Sequence, residues 1–218
     1  MTPVTILVCS RAARISALAA ASPLLLAACG PDLDSMRSGP IPEEAPRLAE
    51  ADLAPEPGDE SPFAERVEWS IVESTSRFAR TSDPEAKARC PEFSTREDSE
   101  IVCTVVFHGA EAKWDVTIDG GEFTVSSQMV PRGRQVVRET AENLLRHEMD
   151  TETVRCDMDK VHVVPVDGGE DKAVTCEWGR DEDSWKTSER QGTVRIQTSS
   201  PAAGLGSGEE FWFADAEG

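Results

Sequence analysis

The sequence predicts an α+β fold: two tandem repeats, each a helix packed on a small antiparallel β-sheet with one disulfide. Three observations carry this expectation. Apolar residues recur at helical spacing over 64–80 and again over 135–149, and β-rich runs follow each stretch. Four cysteines beyond residue 29, Cys90, Cys103, Cys156 and Cys176, fall as one pair behind each helix. Asp-Gly-Gly turn signals at 119–121 and 167–169 separate the strand candidates.

Composition bounds what such a fold does. The 218 residues carry 41 acids against 22 Lys and Arg, a formal net charge of −19. A binder of nucleic acid or anionic lipid neutralises phosphates with surplus Lys and Arg, so this balance argues against both. Hydrophobic content is only 39%, which places part of the chain outside any core. Tyr is absent, which argues against an aromatic cage, although five Trp and seven Phe remain.

Residues 1–28 read as an export signal. Arg11 and Arg14 are its only charges, and an apolar run too short to span a membrane follows from Ile15 to Ala28. It ends in Leu26-Ala27-Ala28-Cys29-Gly30, which resembles the bacterial lipobox. That resemblance implies that Cys29 becomes the mature N-terminus and carries a diacylglycerol, with the bilayer as its partner. The expected location is the extracytoplasmic face of the cell membrane. Cys9 lies in the removed leader.

Residues 29–62 are expected to form a disordered tether rich in Pro and acid. From Gly30 to Pro62 there are seven Pro and nine acids, opposed by Arg37 and Arg47 alone. Few apolar side chains offset the entropy of ordering. Such a chain approaches polyproline II, at about 3.1 Å per residue, and would lift the folded part off the membrane.

The first repeat is placed at 63–129. Its helix, 64–80, presents Val67, Ile71, Val72 and Phe78, although Val67, Trp69 and Ile71 also alternate as in a strand. Cys90 follows. Ile101–Phe107 is a strand with Ile101, Cys103, Val105 and Phe107 on one face. Lys113–Ile118 and Glu122–Ser127 are expected to pair across a Gly120-Gly121 turn, with Ile118 opposite Phe123 and Val116 opposite Val125. Trp114 would be core.

The second repeat is placed at 130–200. Its helix, Gln135–Met149, lines up Val136, Val137, Thr140, Ala141, Leu144 and Leu145, with Arg132 and Arg134 opposing its dipole. Then come Cys156, a strand at Lys160–Val166 in which Pro165 suggests an edge strand or an early strand end, and a strand at Ala173–Trp178. Ser184–Ser188 and Thr193–Thr198 are a further hairpin, with Trp185 expected in the core. The first cysteines of the two units are 66 residues apart. Each unit thus runs helix, Cys, strand with Cys, then hairpin.

An exported chain meets an oxidising compartment, so four cysteines read as two disulfides, with three pairings open. Cys90–Cys103 with Cys156–Cys176 keeps each bridge inside one repeat. Loops of 13 and 20 residues would each contribute about 3 kcal/mol in the chain-entropy model. The absence of Cys-x-x-Cys and the scattering of the three His argue against zinc.

Lipobox, Pro/acid tether, helix, Cys90-Pro91 and a second Cys within a strand resemble a small domain of unknown function found in actinobacterial envelope lipoproteins. It would cover about 64–128 and 133–198, although Cys156-Asp157 departs from the Cys-Pro pattern. The family brings no established activity. A looser topological likeness is to the secreted β-lactamase inhibitory protein, also built of tandem helix-on-sheet units with one disulfide each.

No catalytic constellation is expected. His108, His147 and His162 fall on separate segments, and no Ser-His-Asp order carries a glycine-rich elbow. Asp150/Glu152, Asp157/Asp159 and Asp181-Glu182-Asp183 lack EF-hand spacing. Neither metal nor cofactor is expected. A flexible Gly204–Gly208 stretch leads into the 201–218 tail, whose Phe211, Trp212 and Phe213 form either a last docked strand or a partner anchor. The expected function is a non-enzymatic binding or scaffolding module of the cell envelope, with an unidentified envelope partner. The alternatives are an inhibitor of a secreted enzyme or, further off, an envelope hydrolase.

Overall fold

The computed structural model describes residues 36–166, 174–179, 191–198 and 211–215. The leader, Cys29, Ser184–Ser188 with Trp185, Asp181–Asp183 and the Gly204–Gly208 stretch lie outside them. Within the described residues the fold is α+β, with two helices, several antiparallel sheets and two disulfides.

Helix α1 (Phe63–Ala79) starts behind Pro62 and stops at Arg80, whose φ of 56° is left-handed. The Arg80 N–H donates to the Arg77 and Ser76 carbonyls and closes the last turn. Its stripe buries Val67, Ile71 and Phe78, so 3.6-residue periodicity prevails over the strand-like alternation at Val67, Trp69 and Ile71.

Strands β2 (Lys87–Arg89), β3 (Ser99–Phe107), β4 (Ala110–Asp119) and β5 (Ser126–Pro131) form an antiparallel meander in chain order. Alternation sends Cys103, Val105, Trp114, Val116 and Ile118 inward against Val67 and Ile71 of α1. The β3–β4 turn is His108-Gly109, with φ of 47° and 80°, between partners Phe107 and Ala110. Two left-handed residues give a primed turn that matches the strand twist.

The expected Gly120-Gly121 hairpin turn is not formed. Ile118 pairs with Ser127 and Val116 with Met129, so β5 sits four residues further along the chain than expected. Phe123 is then in the connecting loop and 92% exposed. The reason is tertiary. The Gly120 N–H donates to the Asp98 carboxylate and the Gly121 N–H to the Thr95 carbonyl. A Cβ on Gly120 would lie 2.4 Å from the Glu97 nitrogen. The glycines permit the close approach of another loop rather than a two-residue turn.

Strand β6 (Gly133–Val137) precedes helix α2 (Arg138–Met149). The helix therefore begins three residues later than its periodicity suggests. Gln135, Val136 and Val137 pair with β8 (Val161–Pro165) as a two-stranded sheet, because β-branched residues fit a buried ladder when a partner strand is available. Arg134 is accordingly a strand residue and not a charge at a helix start.

Strands β7 (Thr153–Cys156), β9 (Thr175–Gly179), β10 (Gln191–Thr198) and β11 (Phe211–Asp215) form a second antiparallel meander. Its core joins Leu144 and Leu145 of α2 to Val154, Val174, Ile196 and Phe211, and Phe78 of α1 reaches into it. Disulfides link Cys90–Cys103 and Cys156–Cys176, each between the first two strands of its meander or just beside them.

The expected disordered tether is corrected over residues 36–62, which follow the folded body. Strand β1 (Arg37–Ser38) pairs with β7 and forms the edge of the second sheet. The Gly39 N–H donates to the Glu152 carbonyl. The Pro42 carbonyl meets His147 Nδ1 at 3.1 Å, and the Pro46 carbonyl accepts from Arg80 at 3.3 Å. Ala45 packs on the second core. After a 3-10 turn at Glu50–Asp52, the Ala54 carbonyl accepts the Trp69 indole N–H at 3.0 Å. Composition alone does not report these partners, which are carbonyls held by side chains far away in sequence. Preformed Pro conformations also reduce the entropy of docking.

Candidate functional site

The most distinctive surface is the outer face of the β2–β5 sheet. Side chains alternate outward at Val102, Thr104 and Val106 on β3, at Glu111, Lys113, Asp115 and Thr117 on β4, and at Ser126, Gln128 and Val130 on β5. The register places Val102, Asp115 and Val130 in one row across three strands. Val102, Val106 and Val130 are 37–41% exposed.

Charge on this face departs from the rest of the chain. Lys87, Arg89, Lys113 and Arg132 balance Glu100, Glu111, Asp115 and Asp119 in a chain of net −19. Arg132 holds Asp115 through a fork of bonds at 2.6–3.0 Å. These bonds keep the Asp115 carboxyl below its ordinary range and raise the guanidinium. The face thus offers branched apolar side chains with little net field, a surface that another protein covers at low electrostatic cost.

Its β5 border is open: among the described residues no strand pairs with the side of β5 away from β4. Ser126-Ser-Gln-Met-Val-Pro131 contains no charge. Exposed edges are commonly guarded by Lys, charge or bulges.

A second constellation sits where the N-terminal segment meets α2. Glu142 is buried on the helix, and its carboxylate accepts Arg37 Nε at 2.8 and 2.9 Å and the Cys156 N–H at 3.1 Å. Arg37 Nη2 also bonds the same carboxylate and reaches the Cys156 carbonyl. Arg146, buried one helical turn on, donates to the Arg37 and Glu152 carbonyls. The sequence stripe did not single out Glu142, although an acid beside Ala141 and Leu144 on the apolar side was its visible signal. The arrangement fastens a strand and leaves no oxygen aimed at an open space for chemistry.

Arg134 is buried between the rings of Phe78 at 4.9 Å and Trp114 at 5.5 Å. Burial pushes its pKa down to about 10. Flanking ring faces offset part of that cost.

A cavity of about 290 Å³ lies between Asp52–Ala54, α1 and the 82–86 loop. Two of its three acids are engaged in structure: Glu73 holds Arg77 Nε at 2.9 Å, and Asp83 caps the Glu85 and His108 amides. The lining is a seam between the docked segment and the helix, and Trp69 closes it.

The residues singled out in sequence fall as follows. The four cysteines are bridged in the expected pairing. Phe211 is buried in the second core and Phe213 half-buried, whereas Trp212 is 43% exposed on β11. The aromatic trio is therefore a docked strand that turns only its central indole outward. Trp114 is core. His108 occupies the β3–β4 turn with its ring edge against Phe107, His147 caps the Pro42 carbonyl, and His162 lies on β8. Among the described residues no three His, Cys, Asp or Glu gather as metal ligands. No described helix is long and apolar enough to cross a membrane.

The chain matches no protein-family model, no curated protein and no solved structure.

Proposed function

We propose that this is a lipid-anchored, extracytoplasmic binding module of the cell envelope that acts without catalysis. The outer face of the β2–β5 sheet is its contact surface. The observation that carries this is the charge-balanced face with Val102, Val106 and Val130 exposed on a strongly acidic chain. Anchoring rests on the lipobox-like Leu26–Cys29 behind an apolar leader. The docked segment changes what such an anchor does. Seven residues separate Cys29 from Arg37, so the chain between them spans at most about 30 Å. The body is then held close to the bilayer and not carried on a long spacer.

We also propose that the two halves are tandem copies of one unit. Each has a helix followed by a four-stranded antiparallel meander, and each carries its bridge at the first two strands. The second differs by β8, inserted between its first two meander strands to pair with β6. The likeness to envelope lipoproteins with a Cys-Pro domain belongs to the same proposal.

One experiment tests anchor and surface together. The full chain is expressed with a photo-crosslinking residue at Val102 or, as control, at Glu56, in a Cys29 and a Cys29→Ala background. Expected are a lipid mass on Cys29, release from membranes on Cys29→Ala, and a discrete protein adduct from position 102 but not 56. An unmodified Cys29 peptide overturns the anchor. Equal labelling at 102 and 56 overturns the surface.

A further inference from the structure

We propose that the N-terminal segment is a stowed tether. Residues 36–62 dock along the body in a state that opens reversibly and, once open, carry the body away from the membrane on an extended chain. This rests on the anchor at Cys29, and it adds a second, longer reach to the short one.

The segment is fastened at the surface. None of residues 36–62 is buried, whereas Ile71, Val105, Leu145 and Ile196 of the two cores are fully so. Its fastenings are discrete and polar. They are a two-residue ladder with β7, the Arg37–Glu142 pair, and the carbonyls of Pro42, Pro46 and Ala54 held by His147, Arg80 and Trp69. The Glu50–Arg77 pair adds little, because its side chains are 74% and 47% exposed. A segment with few buried apolar contacts opens at a much lower free energy than the cores it covers.

Charge works against the docking. Residues 36–62 hold seven acids against Arg37 and Arg47, in a chain of net −19. An acidic segment laid on an acidic body is pushed outward by the summed field. The few polar fastenings oppose that push. Docked and open states therefore lie close enough in free energy for a differential interaction to shift one into the other.

Composition suits the open state as well as the docked one. Docked, the chain from Cys29 to Arg37 spans at most about 30 Å. Open, the chain from Cys29 to Phe63, with its seven Pro, approaches polyproline II and reaches about 100 Å. A Gly/Ser linker of that length would have an r.m.s. span of only about 30 Å and would add no reach. A partner fixed beyond the short leash is met by the open state alone, so its binding at the sheet face shifts the population to that state. A pull from Cys29 meets the fastenings in chain order, Arg37 first.

The test uses the full lipidated chain in vesicles that carry acceptor-labelled lipid. A donor dye sits on an unnatural residue at the exposed Asp157, next to the Cys156 carbonyl that Arg37 reaches. Ser38 and Thr153 face each other as a non-hydrogen-bonded pair, because the Gly39 N–H bonds the Glu152 carbonyl beside them. Such a pair has Cα atoms about 4.5 Å apart, so Ser38→Cys with Thr153→Cys locks the segment down by a bridge. Two separate variants open it. Arg37→Ala removes the ion pair, and Gly39→Pro deletes the N–H given to Glu152 while leaving Glu142 paired. Energy transfer to lipid is expected to equal or exceed the parent's in the locked chain and to fall at least about threefold in each open variant. In the parent, the Gly39 amide is expected to exchange at least about a hundredfold faster than those of Val105 and Val116. Transfer in the open variants equal to that of the locked chain, or exchange at Gly39 as slow as at Val105, overturns the proposal. If one variant fails to fold, the other and the parent's exchange still decide. A Cys29 without lipid, read by mass, overturns the anchor and with it the change of reach; a lipidated chain with unchanged transfer overturns the tether alone.

Discussion

Glu142 and Arg37 are separated by 105 residues in the chain and meet as a bidentate pair. A carboxylate buried on a helix is costly to leave alone, so removing Arg37 does more than delete one contact. Arg37→Ala is expected to destabilise the fold by about 1–3 kcal/mol, scaled down because the guanidinium is partly exposed. Amide exchange at Ser38 and Gly39 should rise sharply while β3 and β4 stay protected. Unchanged exchange at Gly39 would mean that backbone pairing with β7 alone holds the segment. Arg134 shows the opposite balance. Burial lowers the pKa of its guanidinium to about 10, and the group packs between the rings of Phe78 and Trp114.

Elements were legible in sequence wherever periodicity was strong and local. Helix α1 and strand β3 follow their apolar patterns closely. Turns and registers were less so, because a Gly-Gly pair reports permissiveness and not purpose. At Gly120 the permission is used for contact with the 95–98 backbone, and His108-Gly109 makes the hairpin turn instead. Gly120→Ala is therefore expected to cost about 1–3 kcal/mol, since the nearest atom is rigid backbone. Gly58→Ala, which meets nothing within 4 Å, should stay within about 0.5 kcal/mol of the parent. Denaturant midpoints of the two variants decide this; equal midpoints would show that the 95–98 loop yields without cost. The candidate contact face was invisible for a related reason. Alternation shows which residues point outward, but only the register lines up Val102, Asp115 and Val130.

Across the whole molecule, the N-terminal segment touches both helices. It is fastened to α2 at Glu142 and His147, and to α1 at Arg77 and Trp69. Glu50 is held below the ordinary carboxylate range by hydrogen bonds from Arg77, as Asp115 is by Arg132. A depressed folded pKa adds stability that is present above the unfolded value, near 4.3 for Glu, and is lost as pH falls through the folded value. Glu148 acts in the other direction: burial raises its pKa, so its contribution is present at low pH and lost as pH rises through that raised value. The Glu50 end of the segment should loosen below about pH 4, before the sheets melt. Hydrogen exchange at Asp52 and Leu53, followed from pH 6 to 3, checks this. Simultaneous loss of protection in the segment and in β4 would show that the segment is not a separate unit.

The sequence by itself pointed to an α+β class, to helix α1, to the alternating strands and, among three open pairings, to the cysteine pairing that keeps each bridge local, because each depends on short-range pattern or on small spacings along the chain. Tertiary structure alone decided that residues 36–62 lie along the body, that β6 is a strand and not a first helical turn, and where β5 sits against β4. Those outcomes depend on partners 20 to more than 100 residues distant, and a chain reports such partners only when it is folded against them.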